Sequence, residues 1–277
     1  VKSEFSINGI GLHSGKKVKI TIQPAKIDNG IKFIRTDIKN NNIINAVWSN
    51  VTSTTLCTTI SNNSGVSVNT IEHLMSALSG MHIDNANILI DGSEVPIMDG
   101  SSLPFVEFLE FNGIINQGIE RKTISIKKDI IVSNNDSYAK LTPHSQFAID
   151  FEIDFESHLI NKQACHLQLV NGNYKSDISS ARTFGFEKDV NRLRANGLAL
   201  GGSLENAVVV GQDNILNKEG LRFTDEFVRH KILDSIGDLY LAGRPIKGYF
   251  FGNKSGHFLN NQLLRKLFSD KSNFEII

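Results

Sequence analysis

The chain has 277 residues, 40% of them hydrophobic, and its 29 Lys+Arg balance its 29 Asp+Glu. That size allows one large domain or two ordinary ones with real cores, and the zero net charge excludes a general nucleic-acid surface or a polybasic membrane anchor. No apolar run reaches the roughly 18 residues of a membrane span, and two isolated cysteines, Cys57 and Cys165, form no CxxC and no disulfide framework, as expected in the cytoplasm.

The opening VKSEFSINGIG does not read as a signal peptide, and its first residue, valine, implies at least an initiator Met upstream. Residues 2–24 alternate as strands about a Gly-rich turn at Gly9–Gly15. GIGLHSG lacks the GxGxxG spacing, so it reads as a turn and not as a nucleotide loop. In TIEHLMSAL (70–78), Ile71, Leu74, Met75 and Leu78 repeat at helical spacing, with Thr70 as the expected N-cap. NANILIDG is a strand ended by Asp91-Gly92. Pro96–Gly100 reads as a strand–turn–helix junction, Ser101 or Ser102 capping a helix over 101–112 that carries Phe105, Val106, Phe108 and Leu109. Asn116–Lys122 is a polar linker. RKTISIKKDIIV and QFAIDFEIDF follow as strands, and helices are expected around 178–182 and 221–242. The turn at 201–202 and the β-branched run 208–210 predict a small β-α-β insert over about 183–210. His257 follows the turn Ser255-Gly256 and reads as a loop histidine. Strands followed by helices in both halves predict an α+β fold with layered helices and sheets.

The chemistry concentrates in two of these helices. In RHKILDSIGD (229–238), His230, Asp234 and Asp238 recur every four residues and share one helical stripe, while Ile232, Leu233, Ile236 and Leu239 supply the docking face. An imidazole and a carboxylate one turn apart can share a metal, and Asp238 can orient a ligand from behind. The pair Glu72-His73 sits inside the other apolar helix. Adjacent helical residues diverge by about 100°, so His73 can ligate while Glu72 reaches a water from the side. His73, His230 and Asp234 then make three ligands with an open fourth position, the pattern of a catalytic zinc.

Seven stretches, GIGLHSGKKV, TIEHLMSALSG, EVPIMDGSS, SSARTFGF, GLALGGSLENAVVV, LRFTDEFVRHKILDSIGDLYLAG and KSGHFLNNQLL, occur in an order that resembles the UDP-3-O-acyl-N-acetylglucosamine deacetylases, zinc enzymes of lipid A biosynthesis in Gram-negative bacteria. The resemblance covers nearly the whole chain. It implies two similarly folded two-layer α/β-sandwich domains, residues 1–117 and 122–277, with their helices packed together between the sheets and the metal site between them. It implies one Zn²⁺ per chain, a site that could also take Fe²⁺, and UDP-3-O-acyl-N-acetylglucosamine as substrate, with no nucleic acid, membrane span or obligate protein partner.

By matching position the resemblance gives each site residue a role. Glu72 is the general base, His257 the acid that Asp238 keeps charged, Thr183 the oxyanion donor, and Lys231 a positive charge near the substrate. Lys254 falls near the diphosphate, Phe155 near the uracil, and Phe184 joins the substrate contacts. Val190, Ala199, Leu204, Ala207 and Val209 are expected along an acyl-chain tunnel, with Leu12 and Leu56 at its mouth. His13 falls near the substrate entrance, and Cys57 near the metal without ligating it. His82, His144, His158 and His166 read as surface or packing histidines. A non-catalytic binding protein of the same fold is the competing class, and Glu72 argues against it, because binding alone needs no base beside a metal. A zinc hydrolase for a different acylated sugar is a third reading, opposed by the match across the insert.

Overall fold

The protein is described by a computed structural model covering residues 1–169 and 172–277. β1 (Phe5–Ile10) and β2 (Lys17–Pro24) form an antiparallel hairpin that pairs Phe5 with Ile22 and Ile10 with Lys17. Phe5, Ile7, Val18, Ile20 and Ile22 are buried, as a period of two with one covered face requires. β3 (Ile31–Arg35) and β4 (Ile43–Asn45) follow, then a small sheet of β5 (Val51–Ser53), β6 (Thr59–Ser61) and β7 (Ser67–Val68). The helix α1 (Glu72–Gly80), the strand β8 (Ala86–Ile90) and the helix α2 (Leu103–Asn112) complete the first half. The main sheet runs β1-β2-β8-β3-β4, antiparallel except where β3 lies parallel to β8.

The second half repeats the plan. A short strand β9 (Ile124–Ile126) leads into β10 (Ile130–Asn134), β11 (Ser137–Thr142), β12 (Phe147–Asp154) and β13 (Lys162–Gln168). After the turn of helix α3 (Tyr174–Asp177) come β14 (Phe184–Phe186), α4 (Glu187–Ala195) and β15 (Val208–Val210). Then follow α5 (Glu226–Tyr240), β16 (Ile246–Asn253), α6 (His257–Phe268) and β17 (Phe274–Ile276). The sheet path is β10-β11-β16-β12-β13, with β9 added beside β16 and β17 beside β9. Strand for strand this is the order of the first sheet, down to the parallel pair, here β12 with β16. In both halves a helix precedes and another follows the strand inserted into the centre of the sheet.

The equivalent helices α1 and α5 pack face to face and make the most extensive helix–helix contact of the molecule. Helices therefore lie between the two sheets, as expected. Gly237 makes the close approach possible: a Cβ there would stand 2.0 Å from the carbonyl oxygen of Glu72. In an exposed helix Gly→Ala gains roughly 1 kcal/mol. At this contact Gly237→Ala is expected to destabilise instead, by about 1–3 kcal/mol of overpacking, visible as a lower Tm.

Several expectations are corrected. Thr70 does not cap α1; it has a left-handed backbone (φ 56°), and its hydroxyl donates to Glu94 Oε1 at 3.1 Å. The helix expected at 178–182 lies earlier, at Tyr174–Asp177. The helix expected from 221 begins at Glu226, whose carboxylate accepts the N–H groups of Arg182 and Arg222 and so holds the preceding turn. RKTISIKKDIIV forms two strands, not one. Ser102 turns its hydroxyl onto the His73 carbonyl at 2.9 Å, while Ser101 Oγ accepts from Leu103 N–H. His257 is not a loop residue but the first residue of α6. The insert has the expected β-α-β form, β14 pairing parallel with β15. Both cysteines are free, and no helix among the described residues is long and apolar enough to cross a membrane.

Candidate metal centre and catalytic cleft

His230 sits one turn into α5, buried, and its Nδ1 lies 3.0 Å from the carbonyl oxygen of Ala181. A carbonyl can only accept, so Nδ1 carries the hydrogen. Burial is the largest influence on this imidazole and outweighs the pull of Asp234, bringing its pKa down to about 4. The ring is therefore neutral, and Nε2 presents a lone pair. That lone pair lies 3.3 Å from Asp234 Oδ1, and His73 Nε2 approaches the same oxygen at 3.5 Å. The two rings stand edge to face at 90°. A neutral acceptor facing a carboxylate is repulsive unless a cation lies between them. A tetrahedral ion with bonds of about 2.0–2.1 Å holds its ligand atoms roughly 3.3–3.4 Å apart, close to the 3.3 and 3.5 Å between the histidine nitrogens and Asp234 Oδ1. His73, His230 and Asp234 are the group among the described residues whose donor atoms could hold a metal, all within 4.8 Å of one another.

The surroundings hold these ligands in place. Lys231 Nζ donates to Asp234 Oδ2 at 2.7 Å, leaving Oδ1 toward the histidines. Burial opposes the charge on both groups of that pair. The Lys231 ammonium is among the charges that nevertheless hold the Asp234 carboxyl well below its usual range, and Asp234 holds the Lys231 ammonium above its own. Arg182, adjacent to Ala181, is buried against Glu226 through Nε–Oε1 at 2.9 Å. Arg182 also donates to Glu219 Oε1 at 2.8 Å and to the Gly220 carbonyl at 2.7 Å. Glu226→Ala leaves those two bonds but removes the buried carboxylate that also holds the Arg182 and Arg222 N–H groups. It is expected to cost about 1–3 kcal/mol, read as a fall in denaturation midpoint.

Two further ionisable groups face the ligand cluster. Glu72 stands in the first turn of α1, where the helix dipole favours a carboxylate. Its Oε2 accepts the Thr58 N–H at 3.0 Å, and its Oε1 lies 3.8 Å from His257 Nε2. Burial raises its pKa, against the opposing charge of His257. His257 Nδ1 donates to Asp238 Oδ2 at 2.8 Å. Burial alone would lower its pKa; the charges of Asp238 and Glu72 outweigh that and push it up to about 9. Asp238 thus backs His257 and not a metal ligand. Its remaining lone pairs are filled by Thr58 Oγ1 at 2.6 Å and Asn260 Nδ2 at 2.9 Å.

These groups open onto one cleft of about 470 Å³, which Leu12, Leu56, Phe155, Thr183, Phe184 and Lys254 also line. A profile described as UDP-3-O-acyl N-acetylglycosamine deacetylase matches residues 1–269. The chain belongs to this deacetylase family. It is 50% identical over 274 residues to the UDP-3-O-acyl-N-acetylglucosamine deacetylase of Syntrophus aciditrophicus, covering 99% of this chain and 87% of that protein. To the protein of the same name from Shewanella halifaxensis it is 49% identical over 279 residues, covering 100% and 91% respectively.

Not every residue matched to the deacetylase family lies at the cleft. Val190, on α4, and Ala199, Ala207 and Val209 are half-buried within the insert, and Leu204 is exposed; none of the five lines the cleft itself. Lys254 reaches the cleft wall but is paired with Asp136 at 3.1 Å and Asp154 at 3.2 Å. Phe155 packs edge-on against Phe184. His13 joins the β1–β2 turn to the insert. Cys57 is buried near Glu72, and burial, then that carboxylate, push its thiol up to about 11, so it stays an inert thiol. Thr58 and Asn260 were not foreseen. Neither carries a spacing signal, because Thr58 meets Asp238 across 180 positions of sequence.

Proposed function

We propose that this chain is a zinc-dependent amidohydrolase that removes the N-acetyl group of UDP-3-O-acyl-N-acetylglucosamine, giving acetate and the free glucosamine amine, the committed step of lipid A biosynthesis in the cytoplasm. The observation that carries this reading is the acceptor cluster of His73, His230 and Asp234 facing Glu72 and His257 across one cleft. The relatives' names supply the substrate. Zn²⁺ suits the two imidazoles and one carboxylate, and Fe²⁺ could occupy the same set. We assign residues 1–117 and 122–277 to two domains, each contributing one side of the site.

A zinc ion held by the three ligands supplies Lewis acidity, polarising the acetamide carbonyl and acidifying water. Glu72, pinned at Oε2 by the Thr58 N–H, leaves Oε1 to take the proton of the attacking water. The Thr183 hydroxyl, on the cleft wall, donates to the oxyanion as it develops. His257, charged because Asp238 holds Nδ1, turns Nε2 to the cleft and delivers a proton to the departing amine. Water adds to the carbonyl carbon, the C–N bond breaks, and Glu72 and His257 end with one proton gained and one lost. Lys231 acts through Asp234, and Lys254, Phe155 and Phe184 provide walls for the nucleotide sugar. Release of acetate from UDP-3-O-acyl-N-acetylglucosamine, measured with the metal content of the same preparation, tests the reading; metal-replete protein that releases none refutes it.

The pH dependence has a definite sign. His257 serves as acid only while protonated, so activity should fall as pH rises through about 9. Glu72 serves as base only while ionised, so activity should fall on the acid side at a pH above the ordinary carboxylate value. The profile is a bell whose limbs belong to the coupled pair. Asp238→Asn removes the leading charge that raises His257 and is expected to move the upper limb to lower pH. An upper limb left in place by this change would show that another group sets it.

The insert gives a separate test. Val209→Trp or Ala207→Trp would fill apolar space in the insert, at about 1–3 kcal/mol of stability. In a variant that still melts cooperatively, kcat/KM on the long-acyl substrate should fall much more than on a short-acyl analogue, since remote binding energy orients the reacting amide. Equal losses on both would place these residues in ordinary core.

A further inference from the structure

One buried carboxylate outside the metal centre connects both sides of the cleft mouth. Glu94 is 2% exposed, and its side chain accepts three hydrogen bonds: His13 N–H at 2.8 Å, Ser14 N–H at 2.8 Å and Thr70 Oγ1 at 3.1 Å. The first two hold the β1–β2 turn, which carries Leu12 to the cleft. Gly11 leaves room for the carboxylate, since a Cβ there would meet Glu94 Oε2 at 2.3 Å. That turn in its own right clasps the insert. Leu200 N–H donates to the His13 carbonyl, Gly201 N–H to the Leu12 carbonyl, and a Cβ on Gly201 would stand 2.3 Å from the Gly11 carbonyl oxygen. The third bond holds Thr70, whose left-handed backbone turns the chain into α1 two residues before Glu72. A β-branched residue with positive φ is strained and persists only where its surroundings fix it.

We propose that Glu94 is a positioning residue of the deacetylation, its carboxylate fixing at once the entry to the base helix and the mouth turn that clasps the acyl insert. It touches no reacting atom. It acts through Thr70 on Glu72, and through Leu12 and the 199–202 segment on the acyl chain. The inference rests on the deacetylase reading above. A carboxylate suits this place because it donates nothing: both oxygens accept from backbone N–H groups of one turn, which a carboxamide cannot do without opposing its NH₂ to one of them.

Glu94→Gln tests this, with metal content and thermal melting measured first. Amide hydrogen exchange should accelerate by about tenfold or more, the scale of one buried hydrogen bond replaced by a donor–donor contact, in residues 10–16 and 198–203. Against the short-acyl analogue kcat should fall, through Thr70 and Glu72. Against the long-acyl substrate kcat/KM should fall by roughly a further tenfold. Gly201→Ala, which opens the clasp without touching Glu94, should reproduce the long-to-short change while sparing kcat on the short analogue. If Glu94→Gln fails to fold, Thr70→Val, which removes only the Thr70 bond to Glu94 Oε1, should lower kcat on both substrates, and an unchanged kcat there would overturn the proposal. Exchange left unchanged in both segments, or an equal loss on both substrates, would overturn the proposal. Wild-type protein that releases no acetate would instead remove the deacetylase reading, with the exchange measurement still deciding whether Glu94 holds the clasp.

Discussion

His73→Ala, His230→Ala and Asp234→Ala are each expected to lose most of the bound zinc through gel filtration, and with it essentially all deacetylase activity. The reason is the small size of the ligand set. Three protein donors leave the fourth position open, so a single truncation leaves two, and the atoms that remain, only 3.3 or 3.5 Å from Asp234 Oδ1 in the intact site, no longer enclose a cation. The three variants differ in what they leave behind. His230→Ala frees the Ala181 carbonyl, a modest loss. Asp234→Ala strands Lys231, whose ammonium donates to Asp234 Oδ2 at 2.7 Å, so it should also lower the melting temperature of metal-free protein. Asp234→Asn keeps the shape and separates the two effects. Because metal binds the folded chain, wild-type protein should melt higher with zinc than after chelation, by about 4 kcal/mol at a thousandfold excess over Kd. That increment should shrink toward zero in all three variants. Full zinc retention in the three would dismiss the ligand assignment.

The His73, His230 and Asp234 cluster, the candidate metal centre, was legible as a grouping because half of it is written locally. His230 and Asp234 are one helical turn apart on α5, and the apolar residues around them fix which face of the helix is docked. What joined them to His73 was not local: α1 and α5 meet because each follows the same position in two sheets of identical strand order. That repeat leaves no short sequence echo, since pairings such as β2 with β8 and β11 with β16 depend on distant burial and not on spacing. The errors have physical causes too. Thr70 has the right chemistry for a cap, but its hydroxyl went to a buried carboxylate 24 positions away. His257 looked like a loop residue because Gly256 precedes it, and glycine serves as an N-cap without any side-chain signal. The helix expected from 221 starts only at Glu226 because the Glu226 carboxylate holds Arg222 N–H at 2.6 Å in a turn, a contact that spacing does not announce.

Glu72→Gln is expected to keep zinc near one per chain and the fold intact, yet to lower kcat by about 10²–10⁴, the usual contribution of a positioned base. The substitution is nearly isosteric. Its carbonyl oxygen can still accept the Thr58 N–H that Oε2 accepts at 3.0 Å, so α1 should hold its place and His73 its ligand position. What is lost is a proton acceptor in the one spot where burial has made the carboxylate more basic than usual. The charge also leaves a pair: Glu72 lies 3.8 Å from His257 Nε2 and is among the groups that raise its pKa. The small residual activity should therefore keep an alkaline limb, displaced to lower pH, while the acid limb due to Glu72 disappears. KM should change little, because the carboxylate is needed when the water proton moves and not for holding the nucleotide or the acyl chain. Metal analysis, a melting curve and the pH profile of kcat, taken on one preparation, separate the alternatives. A variant that retains zinc and wild-type kcat would assign the base to another group; one that loses zinc would make Glu72 a support for the ligands and not the base.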